Sequence, residues 1–400
     1  MKVAIISYVL PPSDSGQAMI IQRLLRDLEP NTYCLLSARN YEIENEPNYS
    51  ERLPGKYFHL QAPPLQLKRG YRFGLSTVRN LINLPLGIVW RANAIARIVR
   101  RQNCQGIVIC TGGLDVVDMP ASYLASLLTR THFYPYLLDQ YIYMVQFALG
   151  KSFLQRLESL FMKGAAAIIA SNEFQQKKLR EQYQVEAVVV HNPCDLAAYD
   201  NARREMMNSE DVKREGIRIV YTGSVGELHY SAFRTLIAAI ALLERTDLTL
   251  HLYTMHRAQC EREGIVGPVV YHDQQPVSQM PYIQQQADIL FLPLAFASSH
   301  PKIVTTSSPG KMGEMLASRR PILAHAPADS FIAWYFRRYE CGVLVDQDDH
   351  KKLAEALQLI LSDKRLSHEL SERAWERAKS DFSLERARTQ FVELMGLGSL

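Results

Sequence analysis

The chain has 400 residues, which suits two domains of about 200 residues each rather than one core. Its hydrophobic fraction of 47% and charged fraction of 22% exclude a disordered or fibrous protein, and a net charge of +4 gives no indication of a nucleic-acid partner. The cysteines are scattered without a C-x-x-C pair, which argues against disulfides or a zinc site and for a reducing cytoplasm: Cys34, Cys104, Cys110, Cys194, Cys260 and Cys341.

The N-terminus predicts a buried strand rather than a signal peptide. Lys2 precedes an apolar run, but Pro11 and Pro12 follow that run where a small-residue cleavage site would stand. No apolar stretch reaches the roughly 20 residues of a membrane span, since the nearest one is interrupted by Pro85 and Arg91. We therefore expect a cytoplasmic protein.

In the first half, short apolar runs alternate with amphipathic helical segments such as Gly16–Leu28. This alternation predicts a mostly parallel sheet covered by helices on both faces. The predicted strands are Val3–Val9, Thr32–Leu36, Tyr57–Leu60, Gly106–Cys110, His132–Leu138, Ala167–Ala170 and Ala187–His191.

A polar stretch from Asp195 to Gly216 predicts a linker, after which the alternation begins again. The fold class is therefore α/β, with two doubly wound Rossmann-like domains at 1–200 and 217–382, a linker at 201–216 and a last helix at 383–400. Ligands of such sheets bind beyond the carboxyl ends of the strands, so we expect the site in the cleft between the halves. The predicted elements are strands at Ile217–Tyr221, Leu248–Tyr253, Ile289–Pro293, Pro321–His325 and Val343–Val345, and helices at Tyr230–Leu243, Lys351–Leu361, Lys364–Lys379 and Leu384–Met395.

The run from Ser307 to Ala317 carries the most informative pattern. Ser308 is a favourable N-cap, and Pro309 suits the first helical position. Lys311 lies in that first turn, where a cation opposes the helix dipole and is tolerated best against an anion such as a diphosphate. Glu314 lies one turn further and is suited to ribose hydroxyls. A weak surface pair of Lys311 and Glu314 explains the pattern equally well.

Three other segments carry candidate ligand contacts. Gly16 ends a strand–loop–helix segment, and Gly223 with Ser224 occupies a similar position in the second half. Backbone N–H groups approach phosphates closely at such glycines, although an ordinary turn between strand and helix fits both places. His300 and Lys302 lie in a loop predicted over Ala295–Thr306, where their charges fit the same anion or simply solvent.

These segments together resemble the GT-B glycosyltransferases of family 4 and their capsule, lipopolysaccharide and exopolysaccharide relatives. The resemblance covers nearly the whole chain in order, although each motif is loose by itself. The similar segments are Tyr8–Gln17 (YVLPPSDSGQ), His191–Asp195 (HNPCD), Tyr221–Ser224 (YTGS), Ser308–Ala317 (SPGKMGEMLA) and Arg320–Ala324 (RPILA).

The resemblance implies a GT-B fold whose last helix crosses back to the N-terminal domain. It implies transfer of a sugar from a nucleotide-diphosphate sugar to a glycan, lipid-linked or small-molecule acceptor, with retention and with neither cofactor nor metal. Gly16 and Lys311 would contact the donor phosphates, Glu314 the ribose, and Asp139 the acceptor half of the cleft. Asp139 is equally compatible with a cap or turn residue.

Two positions depart from the family pattern. Counting back from Glu314, Thr306 occupies the place of the first carboxylate of the family's Glu-x7-Glu motif. Ser224 occupies the place of an arginine that often follows the donor-domain glycine, so His300 or Lys302 would have to supply the positive charge. The acidic runs at 115–118 and 346–349 predict helix caps rather than an Asp-x-Asp metal site.

A basic stretch without acidic residues extends from 68 to 101 and interleaves with apolar residues. It predicts either peripheral contact with an anionic membrane at the inner face of the plasma membrane or a core helix with a solvated cationic face. Its basic residues are Lys68, Arg69, Arg72, Arg79, Arg91, Arg97, Arg100 and Arg101.

Two other functions remain open at the level of the sequence. A sugar-nucleotide 2-epimerase has the same two-domain fold and would convert the donor without an acceptor. A catalytically decayed binding protein would bind the donor without turnover. An NAD-dependent oxidoreductase is disfavoured, because no strand is followed by G-x-G-x-x-G.

Overall fold

The computed structural model describes residues 1–13, 15–41, 52–62, 75–112, 116–138, 151–208, 216–298 and 301–397, with the backbone alone at 75–81 and 151–154. The chain divides into two compact units. The first contains Met1–His191 and Ala387–Leu400, and the second contains Asn192–Arg386. Asp139 and His300 lie outside the described residues.

The described strands of the first unit form one parallel sheet in the order β3-β2-β1-β4-β5-β6-β7. All seven predicted strands are confirmed, and most of them are buried apolar runs of the kind typical of parallel sheets. Their bounds are Val3–Ile6 (β1), Tyr33–Ser37 (β2), Lys56–His59 (β3), Gly106–Thr111 (β4), His132–Leu137 (β5), Ile169–Ala170 (β6) and Val188–Val189 (β7).

Helices cover both faces of this sheet, as the alternation predicts. One face packs on Ile95 of α2, Met119 of α3 and Phe161 of α4; the other packs on Ile20 of α1 and Phe391 of α15. The helices are Gly16–Leu25 (α1), Leu75–Arg101 (α2), Asp118–Thr129 (α3), Lys151–Lys163 (α4), Glu173–Tyr183 (α5) and, last in the chain, Leu384–Met395 (α15).

The structure corrects the predicted cationic face of the basic stretch at one residue, Arg91. Arg91 lies inside α2, is almost fully buried and forms an ion pair with Asp118 at 3.5 Å. Arg91 therefore lies in the interior and not on a solvated cationic face. Asp118 supplies the charged partner that a buried guanidinium requires. Arg97, Arg100 and Arg101 are exposed, whereas residues 68–72 lie outside the described ranges. Over the part of the chain with a description, no helix combines the length and apolar character needed to cross a bilayer.

The described strands of the second unit form a parallel sheet in the order β10-β9-β8-β11-β12-β13. Renumbered within the unit, this is the 3-2-1-4-5-6 order of Rossmann domains, with the reversal between β8 and β11. The sequence predicts every strand except β10. The strands are Ile217–Thr222 (β8), Leu248–Tyr253 (β9), Val269–His272 (β10), Ile289–Pro293 (β11), Ile322–His325 (β12) and Val343–Val345 (β13).

Two segments of this unit contain helices that the sequence did not predict. The linker placed at 201–216 is helical up to Asn208, and the loop placed at Ala295–Thr306 contains a short helix. The helices are Leu196–Asn208 (α6), Tyr230–Leu242 (α7), Arg257–Arg262 (α8), Met280–Gln285 (α9), Pro301–Thr306 (α10), Lys311–Ala317 (α11), Phe331–Tyr339 (α12), His350–Ser362 (α13) and Lys364–Asp381 (α14).

The α6 helix packs through few residues, which explains its weak signal. Only Tyr199 and Ala202 are buried, and the Tyr199 hydroxyl donates a hydrogen bond to Gln284 Oε1 at 2.8 Å. A polar contact of this kind leaves no apolar stripe in the sequence. The second acidic run does cap a helix, because the Asp349 side chain accepts the N–H groups of Lys351 and Lys352.

Candidate functional site

The candidate site lies where β8 ends in the second unit, beside the strand-order reversal at which doubly wound sheets bind ligands. Lys311, the first residue of α11, extends its side chain to this point. Its Nζ donates a hydrogen bond to the Tyr221 hydroxyl at 3.1 Å and lies 5.0 Å from the ring centroid. Tyr221 in turn donates to the Ser224 carbonyl at 2.8 Å. This chain of two hydrogen bonds fixes the ammonium at the carboxyl end of β8.

Gly223 provides the space that the Lys311 side chain occupies. A Cβ atom at this glycine would lie 2.0 Å from Lys311 Cε and 2.4 Å from Nζ. Its φ of +118° is also a conformation that L side chains rarely adopt. The structure therefore brings together two of the predicted site residues, and the contact requires glycine at this position.

His229 lies at the start of α7 and faces the same cation. Its Nδ1 accepts the Gly226 N–H at 3.2 Å, and its ring centroid is 6.0 Å from that of Tyr221. Burial, followed by the charge of Lys311, lowers the pKa of His229 to about 3. The imidazole is therefore neutral at physiological pH, and it adds no charge beside Lys311.

The loop after β8 is held by its own hydrogen bonds. The N–H of Gly223 donates to the Tyr253 carbonyl at 2.8 Å, and that of Val225 donates to His256 Nδ1 at 3.4 Å. With Gly226 bonded to His229, three N–H groups of this loop bind protein acceptors. The loop thus contributes a fixed shape around Lys311.

The start of α11 differs from the prediction. Ser308 does not cap α11, because its Oγ accepts no N–H group of the helix; the residue before the helix is Gly310, which provides no side-chain cap. The Ser308 carbonyl instead accepts a hydrogen bond from Asn192 Nδ2 at 2.8 Å. Ser308 Oγ and Asn192 Oδ1 are two buried polar atoms beside the start of α11 that have no hydrogen-bond partner among the described residues.

Glu314 lies one helical turn after Lys311 and is half-buried on the same face of α11. The helix between them is fixed by packing. A Cβ atom at Gly313 would lie 2.9 Å from Phe382 Cδ1, so the aromatic ring fills the space left by the glycine.

The remaining predicted residues are more scattered. Lys302 is exposed on α10, and no contact among the described residues joins it to Lys311. Ser224 is exposed and takes part through its carbonyl. In the other unit Gly16 is exposed at the first position of α1, which Ser15 caps by accepting the Ala18 N–H at 3.2 Å. The predicted contact of Gly16 with phosphate stays a prediction.

Sequence reasoning did not assign Tyr221, His229 or Asn192 to the site. A tyrosine at the end of the apolar run Ile219–Tyr221 is a usable signal for Tyr221, since a buried hydroxyl needs a partner. Nothing local marks His229. Across the described ranges, no three His, Cys, Asp or Glu side chains converge as metal ligands would.

Comparison with known proteins identifies the second unit. Residues 216–363, which contain Tyr221, Gly223, His229, Lys311 and Glu314, match the family model described as "Glycosyl transferases group 1". No curated protein sequence matches the chain.

Solved structures match over nearly the full length. A glycosyltransferase from Rickettsia africae is 15% identical with a TM-score of 0.66, covering 98% of both chains. Anabaena HepE in complex with UDP-glucose is 12% identical with a TM-score of 0.67, covering 99% of both. WaaG, a glycosyltransferase involved in lipopolysaccharide biosynthesis, is 14% identical with a TM-score of 0.59, covering 98% of this chain and 100% of WaaG.

The two Rossmann-like units and these structural matches define the fold as GT-B, and the protein as a glycosyltransferase. The match to the group 1 glycosyl transferase model is confined to residues 216–363, in the second unit.

Proposed function

We propose that the protein is a family 4-like enzyme that transfers a sugar from a nucleotide-diphosphate sugar, with Lys311 binding the diphosphate and Glu314 the ribose hydroxyls. The single observation that carries the proposal is the position of Lys311. The ammonium is held at the end of β8 by Tyr221 and Gly223, and no carboxylate among the described residues forms an ion pair with it. A half-buried cation with neutral partners is stabilised by an anionic ligand. UDP-glucose in the Anabaena HepE structure supports a nucleotide-sugar donor.

The chemistry follows from charge development on the donor. When the bond between the sugar and the phosphate breaks, negative charge grows on the leaving diphosphate and positive charge on the anomeric carbon. A cation fixed before the reaction stabilises the leaving group without reorganisation. We propose that Lys311 has this role, that no metal takes part, and that the anomeric configuration is retained as in the family the sequence resembles.

We further propose that the acceptor is lipid-linked and that the enzyme meets it at the cytoplasmic face of an anionic membrane. Support comes from α2, where Ile82, Leu86, Val89 and Trp90 follow helical spacing and are each at least 39% exposed. Arg97, Arg100 and Arg101 extend the same helix with exposed cations. An exposed apolar stripe followed by basic residues is typical of helices that lie in a membrane interface.

Donor binding is tested by calorimetry with UDP and other nucleoside diphosphates. We expect Lys311→Ala to weaken binding by about tenfold or more, because a charge-assisted hydrogen bond is lost. Lys302→Ala, an exposed lysine on α10, should bind as the wild type does. Equal affinities of the Lys311→Ala variant and the wild type would contradict the proposal.

Turnover distinguishes the proposed reaction from its alternatives. With sugar nucleotide and membrane extract as acceptor, we expect release of nucleoside diphosphate that persists in EDTA. Conversion of the sugar nucleotide without acceptor would indicate a 2-epimerase. Binding without any turnover would indicate a decayed enzyme.

Membrane contact is tested by vesicle sedimentation with phosphatidylglycerol at rising salt. We expect Leu86→Ser with Val89→Ser to abolish sedimentation, whereas Leu242→Ser, a similarly exposed leucine on α7, should have no effect. Blue-shifted Trp90 fluorescence on vesicle binding would place α2 in the interface. Sedimentation that the double variant leaves unchanged would refute the role of α2.

A further inference from the structure

A second cationic cavity lies in the same unit, away from Lys311. Its volume is about 610 Å³, and it is an open cavity lined by α6, the end of α9, the residues after α11, and α14. A cavity of this size falls within the range of small-molecule sites. The charged side chains on its walls are Arg203, Arg319, Arg320 and Glu372, with His368 beside them. Three guanidinium groups line the cavity against the Glu372 carboxylate, and Asp200 pairs with one of them from outside the lining, so positive charge remains in excess.

Two of the three guanidinium groups are held in place by the protein. Arg319 stacks on the Trp375 ring at 4.0 Å and pairs with Asp200 at 3.3 Å. Arg320 Nε donates to the Gln285 carbonyl at 2.5 Å. Fixed cations lose little conformational entropy when an anion binds, which favours recognition over a surface of mobile lysines.

The third guanidinium, of Arg203, has no hydrogen-bond or ion-pair partner within the described ranges, although it is half-buried. Its neighbour Arg204 differs, because it is exposed and bonds to the Asp200 carbonyl and to Asn201. Arginine forks bind phosphate oxygens through paired hydrogen bonds. The Glu372 carboxylate on the same wall accepts hydrogen bonds from hydroxyl groups.

The cavity is separated from the candidate donor site by the length of α11. Lys311 begins this helix of seven residues and Arg319 follows its end, so about 10 Å of helix lies between the two sites. Arg320 also precedes β12 at its amino end, whereas Lys311 lies at the carboxyl end of β8. The two sites therefore lie at opposite ends of α11 and beside opposite edges of the sheet.

We propose that this cavity is a second binding site, which takes a small phosphorylated and hydroxyl-bearing molecule such as a sugar phosphate. Arg203, Arg319 and Arg320 bind the phosphate, and Glu372 accepts a hydroxyl. The site does not depend on the proposed reaction at Lys311, because its residues belong to other elements and face another edge of the sheet.

The test uses calorimetry with glucose 1-phosphate in the Lys311→Ala background, which removes the donor-site cation. We expect saturable binding that Arg203→Ala weakens by about tenfold or more and that Arg204→Ala changes by less than twofold. Inorganic sulfate should compete. Because no described residue forms a hydrogen bond or ion pair with the Arg203 side chain, we expect its substitution to leave the melting temperature unchanged.

Three results would overturn the site: no saturable binding up to millimolar glucose 1-phosphate, equal affinity in the Arg203→Ala variant, or equal loss in Arg204→Ala. If Lys311→Ala fails to fold, wild-type protein saturated with UDP replaces it. If UDP does not bind at Lys311, the proposed function is refuted. The effect of Arg203→Ala on the binding of glucose 1-phosphate can still be measured in that case.

Discussion

Replacing Gly223 with alanine tests whether the position of Lys311, and not just its charge, binds the donor. The new Cβ would lie 2.0 Å from Lys311 Cε, far inside the roughly 3.5 Å of a carbon–carbon contact. The lysine side chain must therefore move away from the end of β8 and give up its hydrogen bond to Tyr221. The charge remains on the protein, but no longer where the diphosphate is expected.

The substitution has two separable effects. The φ of +118° strains an alanine by about 1–3 kcal/mol, which lowers the melting temperature by several degrees. Loss of the charge-assisted contact with diphosphate removes about 1.5–3 kcal/mol of binding, which is roughly 10- to 150-fold in the dissociation constant for UDP. Calorimetry below the melting transition measures the second effect alone.

Gly226→Ala is the matched control. A Cβ atom at Gly226 meets nothing within 4 Å, although the glycine lies three residues further along the same loop. We expect its UDP affinity to equal that of the wild type. If Gly223→Ala binds UDP normally while folded, or if Gly226→Ala loses as much affinity, the role of Lys311 placement is refuted.

Two further predictions concern buried charge. The pKa of His229 is lowered to about 3 in the folded chain. Between pH 6.5 and pH 3 the unfolded chain therefore binds a proton at this residue that the folded chain does not. The free energy of unfolding should fall as the pH falls through this range. In urea unfolding, the free energy of unfolding of the wild type should therefore fall by up to about 1.4 kcal/mol per pH unit more than that of His229→Gln over this range. The same pH dependence in both proteins would contradict this prediction. Asp118→Ala leaves the Arg91 guanidinium buried without its partner and should destabilise the first unit by about 3–5 kcal/mol. Glu186→Ala, which breaks an exposed ion pair, should change stability by less than about 1 kcal/mol, and equal melting temperatures of the two variants would refute the distinction.

The fold was largely predictable because most of its strands are continuous aliphatic runs that a parallel sheet buries on both faces. The exception, β10, is an edge strand in which Val270 is 42% exposed, so burial left a weaker pattern there. The α6 helix was missed for a related reason. It is held by a hydrogen bond from Tyr199 to Gln284, 85 residues away, and no local periodicity encodes such a contact.

The site was predictable only as far as its chemistry is local. Lys311 could be found because a cation in the first turn of a helix conflicts with the dipole. Ser308 as N-cap was wrong: its Oγ bonds to no described residue, and its carbonyl accepts a hydrogen bond from Asn192, more than 100 residues earlier, which no local pattern encodes. Tyr221 and His229 reach Lys311 through the packing of β8 and α7; the tyrosine leaves a weak signal in the sequence, whereas the part of His229 follows from tertiary structure alone.

The neutral partners of Lys311 explain why one lysine suffices to mark an anion site. A structural lysine that is half-buried is best stabilised by a carboxylate, yet the contacts in the described residues are a phenol hydroxyl, an aromatic ring and a glycine backbone. These groups hold the ammonium in place and leave its charge unneutralised. The low pKa of His229 keeps a second charge from repelling it. An anion that enters this place meets a fixed cation in a partly desolvated setting, where their attraction is stronger than in water.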